Sequence, residues 1–179
     1  MKNRHWKTIY TITFFIGFSS AIWGIKRYEL TFVNSTLLLV IGYISTLITF
    51  FLIRKHYSEV YQVGGNFNPF FQSLCSSGLL TISLLLIINY ELASSVGRIE
   101  THRIEQVGSN GGRGKQPYAV VIRNGRSKKL IFSRKTNLKE SYHLELAVHE
   151  GFFGWDIVKK KKIINNLIEV DNGNTDSTD

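Results

Sequence analysis

The sequence predicts a membrane protein with three transmembrane α-helices followed by a small antiparallel β domain of about five strands. The first half of the chain holds three long apolar runs that contain no Lys, Arg, Asp or Glu. The second half is basic and carries short segments rich in β-forming residues. A chain of 179 residues has room for one or two small domains. These observations argue against a soluble cytoplasmic enzyme.

The apolar runs at 8–25, 31–53 and 69–89 predict helices at about residues 8–25, 31–53 and 69–92, within a transmembrane region over 1–94. Each run approaches or exceeds the roughly 18 apolar residues that cross a bilayer. Trp and Tyr lie near the ends of the runs, and Lys and Arg lie just beyond, which is the usual pattern at a membrane interface.

A secretory signal peptide is the alternative interpretation of the first run. Basic residues precede it, and Ser19 and Ala21 fit a small-x-small cleavage pattern. The apolar stretch continues past Ala21 to Ile25, which is longer than a signal sequence needs. We therefore favour a spanning helix.

The basic flanks of the helices discriminate only weakly between the two orientations. An N-terminus on the cytoplasmic side leaves five Lys or Arg inside and four outside. Moving a short basic tail across the membrane is unfavourable, whereas long domains cross largely regardless of charge. We expect a multi-pass protein of the cell membrane with a cytoplasmic N-terminus and an extracytoplasmic C-terminal domain.

Small residues at helical spacing predict close helix packing, because neighbouring backbones can approach where side chains are short. We expect these faces to meet one another or another membrane protein. No ionisable residue lies at mid-membrane depth, which argues against a transport route. The packing candidates are Gly17, Ser20, Ala21 and Gly24 in the first helix, and Gly42, Ser45, Thr46 and Thr49 in the second.

The β domain is assigned to residues 95–164. Strands are predicted at 118–123, 129–133 and 142–149, and Asn124-Gly125 favours a tight hairpin between the first two. In the third strand alternate residues are apolar, so one face is expected to be buried. Residues 98–107 are expected to add one strand, and the chain after Glu150-Gly151 another.

A domain of about 70 residues has a marginal core, so support from the membrane, a partner or an oligomer is expected.

Charge is distributed unevenly along the chain. Residues 1–94 carry +4, residues 95–164 carry +9 and residues 165–179 carry −4. The basic segment attracts polyanions, and the acidic tail is expected to be disordered. The cations Lys159, Lys160, Lys161 and Lys162 form a run that either contacts an acidic partner or anionic lipid, or protects an edge strand from aggregation.

No catalytic, cofactor or metal site is predicted. The glycine-rich segment 108–115 lacks the Gly-Lys-Ser/Thr of a phosphate loop and is interpreted as a surface loop. His143 and His149 would lie about 20 Å apart on a strand, too far to share a metal. The single cysteine, Cys75, allows no disulfide within the chain.

The sequence therefore favours a non-enzymatic accessory or interaction subunit of a membrane complex, with the β domain as its binding surface. A membrane-tethered sensor or regulator that binds a ligand or anionic lipid is the alternative, followed by a channel or transporter component. The expected partners are membrane lipid and other membrane subunits or a second copy. Nucleic acid is not expected, since the aromatic residues are needed for the core. The Lys- and Ile-rich composition with two prolines suggests a bacterial source.

Overall fold

The computed structural model describes residues 2–109, 116–136, 138 and 143–164. In these residues three long apolar helices precede six strands, which form two small antiparallel sheets. The predicted order of helices followed by β structure is confirmed. The prediction of a single sheet of about five strands is wrong. The acidic tail at 165–179 and most of the glycine-rich segment lie outside the described residues.

The helices extend further than the apolar runs that predicted them. Helix α1 covers Lys2–Tyr28 and helix α2 covers Ser35–Tyr61. The third apolar helix consists of α3 at Phe67–Ser73, a π-helical turn at Leu74–Gly78 and α4 at Leu79–Glu91. By length and composition, all three are sufficient to span a membrane.

Helix α2 begins four residues later than the start of its apolar run at Thr31. Asn34 ends the preceding connection as an N-cap, because its side chain accepts a hydrogen bond from the backbone N–H of Thr36 at 2.9 Å. At the other end, Gln62 adopts a left-handed conformation with φ of 56° and donates to the carbonyl of Ser58. Residues 31–34 were predicted as helix, and that assignment is wrong.

The chain divides into two compact units. The first contains the helices up to Arg98 together with Ala147–Lys159. The second contains Ile99–Leu146 and the residues from Lys160 onward. The first unit therefore includes a short stretch of chain from far beyond its last helix.

In the first unit that late stretch pairs with the connection between α1 and α2. The backbone N–H of Phe32 donates to the carbonyl of Asp156 at 2.8 Å, and that of Val158 donates to the carbonyl of Leu30 at 2.8 Å. Thr31 and Ile157 form the bridge between them and are both fully buried. The apolar residues of the connection are buried by this pairing. In the sequence they adjoin the apolar run of α2 and are therefore indistinguishable from the start of that helix.

The six strands are short. Sheet order is β1-β5-β6 in one sheet and β2-β3-β4 in the other. The segment expected to form one strand at 98–107 is interrupted at 104–105, so it supplies β1 and β2 to different sheets. The strands are β1 Gly97–Arg103, β2 Gln106–Ser109, β3 Pro117–Arg123, β4 Arg126–Ile131, β5 His143–Glu150 and β6 Asp156–Ile164.

The hairpin predicted at Asn124-Gly125 is confirmed. Strands β3 and β4 are antiparallel with Arg123 opposite Arg126, and the two turn residues have φ of 49° and 72°. Two successive positive φ angles are what a two-residue hairpin of this hand requires. The predicted burial of alternate residues in β5 is also confirmed, since Leu144, Leu146 and Val148 are each at most 1% exposed.

Candidate functional site

The closest helix packing in the first unit is between α1 and the third apolar helix, which consists of α3, the π-helical turn and α4. A Cβ added to Gly17 would overlap the backbone carbonyl of Cys75, and one added to Gly24 would lie 2.7 Å from the hydroxyl of Ser83. The two helices therefore approach to backbone distance at both glycines. Ser20 and Ala21, the other two packing candidates on α1, are half-buried. Ser20 donates to the carbonyl of Gly17 at 2.7 Å.

The π-helical turn lies at this contact. It contains Cys75, whose carbonyl faces Gly17, and Gly78, which faces α2. A π turn adds one residue to the helical repeat and shifts the side chains that follow it, and such turns are often retained for a specific purpose. The sequence does not indicate this π-helical turn, because an apolar run with serines is equally compatible with an uninterrupted α-helix.

The second helix contacts the third through its own small residues. A Cβ on Gly42 would lie 2.5 Å from the Cδ1 of Ile82, and one on Gly78 would collide with the hydroxyl of Thr46. The hydroxyl of Ser45 forms hydrogen bonds with those of Ser77 at 2.6 Å and Thr81 at 2.9 Å. Thr46 is fully buried and donates to the carbonyl of Gly42, while Thr49 is half-buried. The chain's own helices thus use these residues.

The buried polar side chains of the apolar helices are satisfied inside the chain. The buried amide of Gln72 donates to the carbonyl of Tyr10 at 2.8 Å, and Ser83 donates to the carbonyl of Leu79 at 2.7 Å. Throughout the described residues, every buried side-chain nitrogen or oxygen has a hydrogen-bond partner. The buried polar side chains of this unit therefore need no water to satisfy them.

Two apolar cavities flank the Leu39, Leu79 and Ile82 side chains. One of about 340 Å³ lies between α1, α2 and α4 and is bordered by Ala21 and Gly24. The other, of about 460 Å³, lies between α2 and the third helix. Both linings offer almost only carbon atoms, so these cavities suit hydrocarbon chains or apolar side chains.

The end of α4 is joined to the turn before β6 by one side chain. Asn89 is fully buried; its Nδ2 donates to the carbonyl of Trp155 at 3.0 Å, and its Oδ1 accepts from the N–H of Phe153 at 2.9 Å. Its own carbonyl accepts from the N–H of Phe152 at 3.3 Å. Trp155 also packs against a cluster formed by Val33, Leu38 and Leu86. The turn is therefore fixed to the helix by polar and apolar contacts together.

A basic and aromatic group, which we call the Tyr90 cluster, lies beside this junction and comprises Arg27, Tyr90, Glu91 and Lys159. The guanidinium carbon of Arg27 lies 3.9 Å, and the ammonium of Lys159 3.7 Å, from the centre of the Tyr90 ring. Lys159 also donates to the carbonyl of Tyr90 at 2.9 Å, and Arg27 forms an ion pair with Glu91. Burial lowers the pKa of Lys159, and the nearby charge of Glu91 partly opposes that effect.

The four lysines of the run have different surroundings in the structure. Lys159 belongs to the Tyr90 cluster. Lys161 donates to the carbonyl of Ile131 and lies 4.7 Å from the centre of the Phe132 ring. Lys160 and Lys162 are exposed. Lys159 is also exposed, but its ammonium is engaged at Tyr90, and the contact predicted from the sequence stays a prediction.

The second unit contains a compact ionic group. Arg123 is 8% exposed and donates to both carboxylate oxygens of Glu100, at 2.8 and 3.0 Å. The Nε2 of His102 lies 3.0 Å from one of the same oxygens. This bidentate geometry is typical of a structural ion pair. Within the described residues, no group of three or more His, Cys, Asp or Glu side chains is arranged to hold a metal ion.

Comparison with known proteins adds no relative: no protein family, curated protein or solved structure matches this chain.

Proposed function

We propose that this chain is an integral membrane protein that crosses the bilayer three times and acts as a non-enzymatic accessory subunit of a membrane complex. The observation that carries the proposal is the distribution of side chains around the helices. Gly17, Gly24, Gly42 and Thr46 lie against other helices of the chain, and many large apolar residues face outward.

The large apolar side chains on the outer faces of the helices are not covered by other parts of the chain. Phe15 is 60% exposed, Trp23 66%, Leu39 66% and Leu52 77%. Contiguous apolar surfaces of this kind mark contacts with a membrane or another protein. Surrounding them with hydrocarbon removes the cost of hydrating them, about 25 cal/mol per Å² of apolar area. A bilayer is the environment that covers all three helices at once.

The small-residue faces are occupied within the chain, which constrains where a partner binds. Gly17, Gly24 and Gly42 each lie against another helix of the same chain. A partner helix would therefore meet the outward faces of α1 and α2, for example near Phe18 and Ile48. Outside the membrane, the exposed Lys160 and Lys162 would meet an acidic partner.

The internal hydrogen bonding favours this function over a channel. The strongest polar side chain at depth, Gln72, is committed to the backbone of Tyr10. The three apolar runs contain no Asp, Glu, Lys or Arg, the residues that usually mark an ion pathway.

The proposed orientation places the N-terminus in the cytoplasm. Lys2, Arg4 and Lys7 precede or begin the apolar part of α1, and their translocation would be unfavourable. The β strands then lie on the outer side of the cell membrane.

The experiment that tests the function is affinity purification of the full chain from its native membrane in mild detergent. We expect other membrane proteins to elute with it in fixed stoichiometry. Recovery only as a single chain or as a homo-oligomer would contradict the accessory-subunit proposal. A matched test replaces Phe18 and Ile48 by Ala, which should reduce the yield of the partner without changing the amount of this chain in the membrane.

A membrane-tethered sensor or regulator is the second candidate. It is supported by the 340 Å³ apolar cavity between α1, α2 and α4, which has the size of a small ligand site. Co-purification of a stoichiometric apolar small molecule, with no partner protein, would favour it.

A further inference from the structure

The last turns of α1 form a concavity of about 220 Å³ lined by Trp23, Lys26 and Arg27. Trp23 is 66% exposed. Lys26 lies on the opposite side of α1 from Gly24 and Tyr28, which border the 340 Å³ apolar cavity, and Arg27 lies between the two sides. Trp23 and Lys26 are exposed, whereas Arg27 reaches Glu91 and Tyr90 of α4, so the concavity lies at the edge of α1 next to α4.

Its two cations retain donors for a ligand. Lys26 is exposed, and within the described residues its ammonium forms no hydrogen bond or ion pair. Arg27 uses Nη2 for its ion pair with Glu91 and places its guanidinium over Tyr90. Among the described residues, no hydrogen bond involves its other guanidinium nitrogens. Because the ring of Tyr90 and the carboxylate of Glu91 hold Arg27 in position, little side-chain freedom remains to be lost on binding.

The position along α1 matches the headgroup region of a bilayer. The apolar residues Phe18 and Ile22 lie in the preceding turns, and the two cations follow directly. Trp together with Lys or Arg at such a boundary is the usual composition at headgroup depth. An indole there contacts the glycerol and upper acyl region, and the cations contact phosphate.

We infer that this concavity binds the headgroup of an anionic phospholipid, an inference that rests on the proposed membrane-spanning arrangement. Charge selects the occupant. A zwitterionic headgroup would bring its own cation towards Lys26, Arg27 and the nearby Lys159, whereas an anionic headgroup brings none. A phosphate oxygen accepts hydrogen bonds from guanidinium and ammonium together. The site would make the chain's packing in the membrane depend on lipid composition.

Trp23 itself provides the measurement. The chain has three tryptophans, so the full chain carrying Trp6→Phe and Trp155→Phe reports on Trp23 alone. This protein is reconstituted into vesicles containing brominated phosphatidylglycerol or brominated phosphatidylcholine in mixtures with the unbrominated lipids. Bromine quenches indole fluorescence at short range, so the mixtures give the relative affinity of the two headgroups at Trp23.

We expect phosphatidylglycerol to be preferred roughly tenfold to thirtyfold, since each basic residue near an anionic headgroup contributes about fivefold in affinity. The Lys26→Gln/Arg27→Gln variant should reduce this preference to about one. The matched control, Arg54→Gln/Lys55→Gln, removes the same charge at the end of α2 and should leave the preference intact.

An unchanged preference in Lys26→Gln/Arg27→Gln, or an equal loss in both variants, would overturn the site. Absence of a lipid preference, combined with binding of a short polyglutamate peptide that requires Lys26 and Arg27, would also overturn it and assign the pair to an acidic protein segment. If neither brominated lipid quenches Trp23, the helix does not contact lipid at all, and the membrane-spanning proposal fails as well.

Discussion

Gly151 lies so close to the side chain of Asn89 that a Cβ at position 151 would overlap the carboxamide. The same carboxamide is hydrogen-bonded to the backbone on the far side of the turn, at Phe153 and Trp155. The end of α4 and the turn before β6 therefore fit each other in shape and in hydrogen bonding. A buried asparagine with this many committed bonds fixes the turn in one position.

Replacing Asn89 by Ala should destabilise the first unit by about 1–3 kcal/mol, because the Phe153 N–H would lose its partner and the Trp155 carbonyl would keep only the Gly151 N–H. Chemical unfolding of the full chain in detergent measures the change. The matched control is Asn66→Ala, at an exposed N-cap whose side chain makes no capping bond. A loss at Asn89 no larger than at Asn66 would show that the hydrogen bonds contribute little.

Replacing Gly17 by Ala should cost about 1–3 kcal/mol, because the added methyl would collide with the Cys75 carbonyl and force α1 away from the π-helical turn. Ser19→Ala, on the exposed side of the same helix, should change stability by less than about 0.5 kcal/mol. Thermal unfolding in one detergent compares the two. Equal stability of Gly17→Ala and the unaltered protein would contradict the close contact.

The stability of the protein should rise with pH as Lys159 loses its proton. Burial lowers the pKa of this amine in the folded state below its usual 10.5. Between the lowered pKa and 10.5, the unfolded chain holds a proton that the folded chain has released, so the free energy of unfolding increases with pH in that window. Unfolding measured across it should show a smaller rise for Lys159→Met. Lys160→Met retains Lys159 and should retain the rise.

The proposed three crossings place the N-terminus and the strands on opposite sides of the membrane. In a Cys75→Ser background, single cysteines at Asn3 and Arg126 should differ in their reaction with an impermeant maleimide on intact cells. Only the Arg126→Cys variant should react. Labelling of both positions would contradict three crossings, and labelling of Asn3→Cys alone would reverse the proposed orientation.

Local signals in the sequence predicted local structure well. The Asn124-Gly125 turn and the alternation of Leu144, Leu146 and Val148 were predicted because neighbouring residues determine them. The helices were predicted because apolar runs of that length have few other uses. Each of these features depends on residues within one or two turns or strand repeats.

Features that depend on distant residues were not predicted. Thr31 was assigned to a helix because it opens an apolar run, but its partner is Ile157, far along the chain. The break at 104–105 that separates β1 from β2 has no glycine or proline to mark it. Among the packing candidates, the sequence identified the small faces but not which helix each face meets.

The pairing of Leu30 and Phe32 with the start of β6 has a consequence for the order of synthesis. The ribosome synthesises residues 156–158 after all three helices. The connection between α1 and α2, with which these residues pair, is therefore synthesised before them. The folded helices and their connection would thus act as a template, because they provide the backbone groups with which the start of β6 pairs. A soluble fragment that starts after α4 would lack that template, and the Asp156 carbonyl and the Val158 N–H would lose their partners at Phe32 and Leu30.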